Sequence, residues 1–448
     1  MTNNTKKITK IHKNGINYTL LALPNSNVFN YEVVQKIGAL IEKDSKLYFP
    51  NIDKEIFGIS HLIEHISFKH SKNMTSEEIQ DNLKKYGRYN ASTSHDRINY
   101  YFKTNIDNMD KAIQLVNEIA FNDLTNVGEE EFKLERDTVY NECKRYQDHP
   151  EHLFHFEACS KSYNLKSNDN VIGSLDNINS FELSDVIEVK KLFNMAGEQS
   201  INITFDNTLL TAQEVVEKID LELIYQNVCL TERNQELITT YQTNLPKLVE
   251  SQVFEIKSTT EQRLYANTFE IPNIDSRIVG YAVEYLNKHS KNSLFDEVRE
   301  KRGLTYGIYM DKSRMAYKDY WEISCDITKG NEDKLVEAIK IACSETLNNF
   351  NQEDYNAFLT TKKINRDLTY LNLDSYESFL WLVNQIEAFK NPSSEPFNRL
   401  VEEDIDLYFD GLDIFITFDK VIIPFIDAIN KSEISFYPDE DILEEIDI

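Results

Sequence analysis

The order of secondary elements read from the sequence runs through the same cycle twice, and that repeat limits the fold more than any other feature. In the first half, alternating residues at 8–11 lead to Asn14-Gly15, a strong hairpin pair, and then to an apolar strand at 16–23. A strand is expected at about 32–41, then a helix near 57–68. A second helix is announced by Thr75 with Glu78 three residues on, a capping box, and ends at Gly87. Strands near 88–92 and 98–104 follow, then helices over 108–122 and 129–147, with Pro150 opening another. A strand at 200–205 and a helix from about Ala212 complete this half.

The stretch 225–250 is polar, contains Pro246 and shows no clear period, so it reads as a connector between domains at 1–224 and 251–448. Beyond it come strands at 253–256 and 264–271, helices at 277–288 and 294–301, strands at 306–311 and 320–327, and helices from Glu332 onward. Strand-rich, helix-rich, strand-rich in both halves predicts an internal duplication of roughly 200 residues.

A chain of 448 residues is too long for one ordinary core. Its 48 basic and 75 acidic residues leave a charge of −27, which repels phosphate backbones and anionic lipid. No nucleic-acid or membrane partner is therefore expected. Such a surface is mainly a solubility device, although it would also attract cationic peptides. The five cysteines, Cys143, Cys159, Cys229, Cys325 and Cys343, are scattered and lack C-x-x-C spacing, so neither a disulfide framework nor a thiolate metal site is expected. The first residues, MTNNTKKITK, lack the apolar core of a signal peptide and the Arg-rich character of a presequence, and no apolar run reaches about 18 residues. Cytoplasmic residence is the expectation. The acidic tail, PDEDILEEIDI, reads as a solvated end.

The chemistry concentrates in HLIEH. His61 and His65 stand four apart on an expected helix, so both imidazoles project from one face about 5.4 Å apart and can reach one ion. Glu64 lies between them, where its carboxylate can approach a water at the metal's open position without being a ligand. H-x-x-E-H is the inverse of H-E-x-x-H and is the inverzincin signature for zinc. Two histidines flanking an acid on a surface helix is the competing explanation. A third ligand is needed, and the helix at 129–147 offers Glu135 and Glu142, seven apart and hence on one face. One can ligate while the other supports by hydrogen bonding. A solvated acidic face accounts for them equally, since the helix also carries Glu129, Glu130 and Glu131.

HLIEH, the later LERDTVYNE and the intervening RYNAST together resemble the pitrilysin/insulinase family of inverted zincins, in particular its short type similar to mitochondrial processing peptidase. The resemblance implies Glu142, 77 residues beyond His65, as the last zinc ligand, with Glu135 as its supporting carboxylate. It implies that Asn90 hydrogen-bonds substrate. SLFDEVREKRGLTYG is similar to the family's C-terminal segment, which implies substrate-binding roles for Arg299 and Tyr306; a basic helix end before a strand is the plainer reading. His70 and its neighbours depart from the small residues usual after the motif, and the second half has no H-x-x-E-H, as expected where only one half keeps zinc.

The fold implied is α+β: two similar domains, each a mostly antiparallel sheet packed with helices, forming half of a clamshell chamber. The chain resembles half of the larger enzymes, so a homodimer or a heterodimer with a related chain is implied. The activity implied is zinc-dependent endopeptidase, with Glu64 as general base acting on unfolded peptides or precursor segments. The competing function is a non-catalytic subunit that binds peptide for an active partner, although relatives of that kind usually have a degraded motif. A rival cluster, His149, His152 and His155 beside Asp148, steps round a helix by about 60° per three residues and cannot comfortably converge on one ion. These read as surface or interface histidines.

Overall fold

The computed structural model describes residues 7–13, 15–148, 171–195, 199–228, 230, 234, 236, 237, 239, 240, 252–256, 262–270, 276–287, 291–315, 318–369, 401–404, 423, 427 and 433–435. The chain begins with β1 (Lys7–Lys13), β2 (Ile16–Ala22) and β3 (Val28–Gln35), followed by α1 (Leu40–Lys43), α2 (Ser45–Tyr48), α3 (Ile59–Ile66) and α4 (Ser76–Tyr86). Then come β4 (Arg88–Thr93), β5 (Ile98–Asn105), α5 (Met109–Ala120), α6 (Glu129–Gln147), α7 (Leu175–Ser180), α8 (Leu183–Phe193), β6 (Gln199–Phe205) and α9 (Ala212–Tyr225). The later elements are β7 (Gln252–Ile256), β8 (Gln262–Glu270), α10 (Ser276–Asn287), a π-helical turn (Asp296–Glu300), β9 (Ile308–Met315), β10 (Lys318–Thr328), α11 (Glu332–Asn348), α12 (Gln352–Thr369), β11 (Val401–Asp404) and β12 (Glu433–Ser435).

The fold is α+β. The described residues fall into two compact units, one within Met1–Arg145, Asn168–Leu245 and Asp367–Gly411, the other within Tyr146–Ser167, Pro246–Arg366 and Leu412–Ile448. The first carries a seven-stranded sheet in the order β11-β1-β2-β6-β3-β5-β4. It is antiparallel except where β2 and β6 run parallel, with Ile16 beside Gln199. The second carries a five-stranded sheet, β12-β7-β8-β10-β9, antiparallel except between β12 and β7. Both units repeat one sequence of elements. An inner strand (β3 or β8) leads through helices to an edge strand (β4 or β9). That strand turns back as its neighbour (β5 or β10), and two helices follow. The doubled order in the sequence thus has a counterpart in topology.

The hairpin register pairs Lys13 with Ile16, leaving two residues for the turn, and Gly15 takes φ +77° there. Asn14 lies outside the described residues, as do His149, His152, His155, Cys159, Cys229, most of 225–250 and the acidic tail. The strand expected at 32–41 begins and ends earlier, at Val28–Gln35. The backbone leaves the sheet at Gly38, where a Cβ would come 2.3 Å from the Ser94 carbonyl oxygen, and continues as α1. An apolar run alone does not reveal that close approach. Helices α7 and α8 have no counterpart among the expected elements. The α8 N-terminus is closed by Asp185 accepting from the Glu182 N–H at 2.8 Å, not by a Ser or Thr cap.

In the first unit α5 packs on β3 and β5, and Tyr31 OH donates to Asn117 Oδ1 at 2.7 Å. Lys190 of α8 is fully buried beside them, its Nζ donating to Gln35 Oε1 at 2.9 Å and to the Ala120 carbonyl at 2.8 Å. Burial pulls its pKa down to about 7. In the second unit Val279, Ala282, Val283 and Leu286 of α10 meet Ile308, Met310, Ile323, Cys325 and Ile327 of the sheet in one cluster. Among the described residues no helix is long and apolar enough to cross a membrane.

Candidate metal centre

The sequence of α3, ISHLIEHI, has two opposed faces. At about 100° per residue, Ile59, Leu62, Ile63 and Ile66 form one apolar stripe, and all four are fully buried. His61, Glu64 and His65 share the opposite face. Burying the stripe therefore fixes which way the polar trio points.

The helix entry is built by backbone. Gly58 and Gly173 sit against one another at φ +92° and +84°. A Cβ on Gly58 would lie 2.6 Å from the Ile172 carbonyl oxygen, and one on Gly173 would lie 2.3 Å from that of Phe57. Gly58 supplies no side chain to cap the helix. Glu42 does so from α1, its carboxylate accepting from the N–H of Gly58 at 2.7 Å and of Ser60 at 2.8 Å while 2% exposed. Replacing Glu42 by Ala strands both donors, at about 1–3 kcal/mol for each group left unsatisfied. The expected result is a lower urea midpoint than that of the unmodified chain; an unchanged midpoint would show that the cap contributes nothing.

On α6, Phe132, Val139 and Cys143 are the buried residues and form the docking seam. Cys143 Sγ also donates to the carbonyl of Gly173, the residue packed against Gly58, at 3.5 Å. Glu135 and Glu142 flank this seam on one side and meet the histidines. Glu142 Oε2 lies 3.4 Å from His65 Nε2 and 3.9 Å from His61 Nε2. The potential ligand atoms of His61, His65 and Glu142 all lie within 4.8 Å of one another. Glu135 Oε1 sits on the far nitrogen, 3.0 Å from His65 Nδ1, and its Oε2 is 2.6 Å from Lys69 Nζ. Glu64 is outside this three-residue set, and its Oε2 accepts from Thr93 Oγ1 of β4 at 2.6 Å.

Electrostatics separate these groups. Burial, then the charge of His65, lowers the His61 pKa to about 4, so this ring is neutral at physiological pH. Burial also disfavours charge on His65, but its hydrogen bonds to Glu135 and Glu142 outweigh that and lift its pKa to about 9. Without a cation, that proton is how the two carboxylates are offset; a dication between the same groups would displace it. Glu64 is raised above the usual carboxylate range by burial, against the opposing Thr93 hydrogen bond.

Zinc takes nitrogen and oxygen ligands at about 2.0–2.2 Å in a tetrahedron, so neighbouring ligand atoms stand roughly 3.3–3.6 Å apart. The separations from Glu142 are 3.4 and 3.9 Å and all the ligand atoms lie within 4.8 Å of one another, so the three groups would close in by only a few tenths of an ångström to about 1 Å around zinc. Two imidazoles, one carboxylate and a second carboxylate behind one imidazole form a donor set suited to zinc.

Of the remaining residues singled out in the sequence, Asn90 is exposed on β4, the last strand of its sheet, with its side chain on the strand face opposite to Thr93. Arg299 and Tyr306 lie in the second unit, and the structure brings them together. The guanidinium carbon is 4.8 Å from the Tyr306 ring centre and 4.6 Å from that of Phe295. Tyr306 is 85% exposed. Sequence reasoning missed Lys69, Thr93 and Glu42. Thr93 ends the RYNAST segment, and the uncapped Gly58 signals that another residue must close the helix. Lys69 carried no signal beyond its place four residues after His65.

Comparison with known families decides the broader class. The model described as Insulinase (Peptidase family M16) matches residues 52–172, which contain the histidines and both glutamates, and the model described as Peptidase M16 inactive domain matches 204–360. The chain belongs to the pitrilysin/insulinase family. Zinc protease PqqE of Helicobacter pylori is 30% identical over 209 residues, 46% of this chain and 44% of that one. The human mitochondrial-processing peptidase subunit beta is 24% identical over 133 residues, 29% of this chain and 27% of its own. The match thus spans less than half the length of these family members. The fold agrees over a longer stretch. A crystal structure of a protease from Helicobacter pylori superposes with a TM-score of 0.70 over 94% of this chain and 96% of the other, at 18% identity.

Proposed function

We propose that the chain is a zinc-dependent endopeptidase acting on unfolded peptides or precursor segments. The observation that carries this reading is the convergence of His61, His65 and Glu142 from two helices, with Glu64 beside them but outside the ligand set. His61, His65 and Glu142 would hold the ion. When bound, zinc supplies a Lewis acid that polarises a scissile carbonyl and lowers the pKa of water from about 15.7 towards about 7.

The chain's own residues do the rest. Glu64 takes the proton from the attacking water and returns it to the leaving amine; burial raises its proton affinity, which favours the first of these transfers. Thr93 holds one oxygen of that carboxylate and leaves the other for the proton. For substrate, the family resemblance and not the geometry puts Asn90 on β4 forward, since its side chain leaves the strand on the face opposite to Thr93. Arg299, with its guanidinium stacked on Tyr306, is the candidate for a substrate carbonyl, and Tyr306 for the developing oxyanion. The name of the human relative describes a subunit, which supports proposing that this chain works as a dimer, with a second copy or with a related chain. Described cysteines Cys143, Cys325 and Cys343 are free and buried, in keeping with the reducing cytoplasm proposed for it.

The test is cleavage of an unstructured peptide mixture, read by mass spectrometry, with the zinc-loaded chain. Cleavage should stop on adding a chelator and return with zinc; cleavage indifferent to the chelator would refute the metal mechanism. Replacing Thr93 by Val should lower kcat by about 10- to 100-fold through misplacement of Glu64. Bound zinc should be unchanged, and Ser at the same position should restore most of the rate. A Thr93→Val enzyme with full kcat would remove Thr93 from the reading.

A further inference from the structure

Two glutamates on one face of α6 reach the same histidine, and nothing in their spacing says which of them ligates. Lys69 distinguishes them. Glu142 leaves Oε2 towards both imidazoles, its other oxygen meeting, among the described residues, the exposed Arg145 at 3.6 Å. Glu135 is held at both oxygens, by His65 Nδ1 and by Lys69 Nζ. Lys69 itself is fixed. Its N–H donates to the Ile66 carbonyl at 2.9 Å, and the buried Asn122 amide bridges the carbonyls of Ser67, Lys69 and His70 at 3.3–3.5 Å.

We propose that Lys69 is a positioning residue for the metal centre: it anchors Glu135 behind His65, which keeps Glu135 from ligating, orients the His65 ring and leaves Glu142 as the sole carboxylate ligand. The proposal rests on the zinc reading above. Its leverage comes from an asymmetry between the histidines. His61 Nδ1 is buried without a hydrogen-bond partner among the described residues, so no hydrogen bond on that side orients the ring. His65 is the ring whose orientation a hydrogen bond sets, and Lys69 holds the acceptor of that bond.

The sign of the effect separates positioning from plain electrostatics. Removing a cation near a bound dication should by Coulomb's law tighten zinc binding. Removing an anchor should weaken it, and loss of such outer partners costs about 10- to 100-fold in metal affinity. The experiment is zinc titration of the full chain against a chromophoric chelator, for the unmodified protein, Lys69→Met, Lys69→Arg, Glu135→Gln and the double variant Lys69→Met/Glu135→Gln, with thermal melts of each apo form. Lys69→Met should bind zinc about tenfold or more weakly, Lys69→Arg should recover most of that loss, and Lys69→Met should add less than twofold once Glu135 is Gln. Unchanged or tighter binding by Lys69→Met overturns the proposal while leaving the zinc reading intact. An equal loss in the Glu135→Gln background also overturns it. If Lys69→Met melts early, Lys69→Arg against Glu135→Gln decides: affinity near that of the unmodified chain for the first and a tenfold loss for the second supports it, and any other pattern overturns it. An unmodified chain that binds no zinc overturns both readings.

Discussion

Glu64→Gln is expected to keep its zinc and lose peptide hydrolysis by about a hundred- to ten-thousand-fold, the usual contribution of a positioned acid–base group. Gln has nearly the same shape, and its carbonyl oxygen still accepts from Thr93 Oγ1, so the local packing of α3 against β4 survives. It cannot take a proton. Because Glu64 lies outside the His61, His65 and Glu142 set, the change removes the proposed base without removing a proposed ligand. Metal content by plasma mass spectrometry and cleavage of the peptide mixture are the two measurements. Full turnover by Glu64→Gln would sink the role assigned to Glu64. Zinc-loaded unmodified protein that cleaves nothing would shift the search to a required partner chain.

His61→Ala and His65→Ala should do the reverse and lose the metal itself. Each removes one of the three proposed ligands, and His65→Ala also detaches Glu135 and leaves the Glu135 and Glu142 carboxylates without the imidazole between them. Bound zinc should fall from stoichiometric to near background after dialysis. The apo fold should persist, because the apolar stripe of Ile59, Leu62, Ile63 and Ile66 that docks α3 is untouched. Zinc content and far-UV circular dichroism check the two parts together. A variant that keeps stoichiometric zinc would move the ion elsewhere.

The legible parts of this molecule are those where neighbours in sequence are neighbours in space. The capping box at Thr75 and Glu78 and the hairpin register are local, and the structure has them where local rules put them. The spacing of His61, Glu64 and His65 sets one helix face, so their convergence could be read from three letters and two gaps. Contacts across many residues could not. The Glu42 cap, the Gly58–Gly173 approach and the Lys69–Glu135 ion pair each join residues that no local pattern connects. The end of β3 was misplaced for the same reason: the apolar run continues past Gln35, and only the approach of Gly38 to Ser94 turns the chain out of the sheet. The choice between Glu135 and Glu142 as ligand came from the family resemblance and not from helix spacing, which puts both on one face; the Lys69–Glu135 ion pair is the physical difference between them.

The sheet order of the first unit has a consequence for how the protein is made. Strand β1 pairs on one side with β2, its immediate successor, and on the other with β11, so that Lys7 lies beside Asp404. Strand β2 in turn waits for β6 as its parallel neighbour. During synthesis the first hairpin therefore emerges with both outer edges open, and one of them stays open until nearly the whole chain has left the ribosome. Closing such distant pairs is slow, and an unpaired edge in the interval invites pairing with another nascent chain. A chain truncated before 401 would retain every residue of the candidate metal centre and still carry that open edge, so its yield on expression would be governed by aggregation even with its chemistry intact.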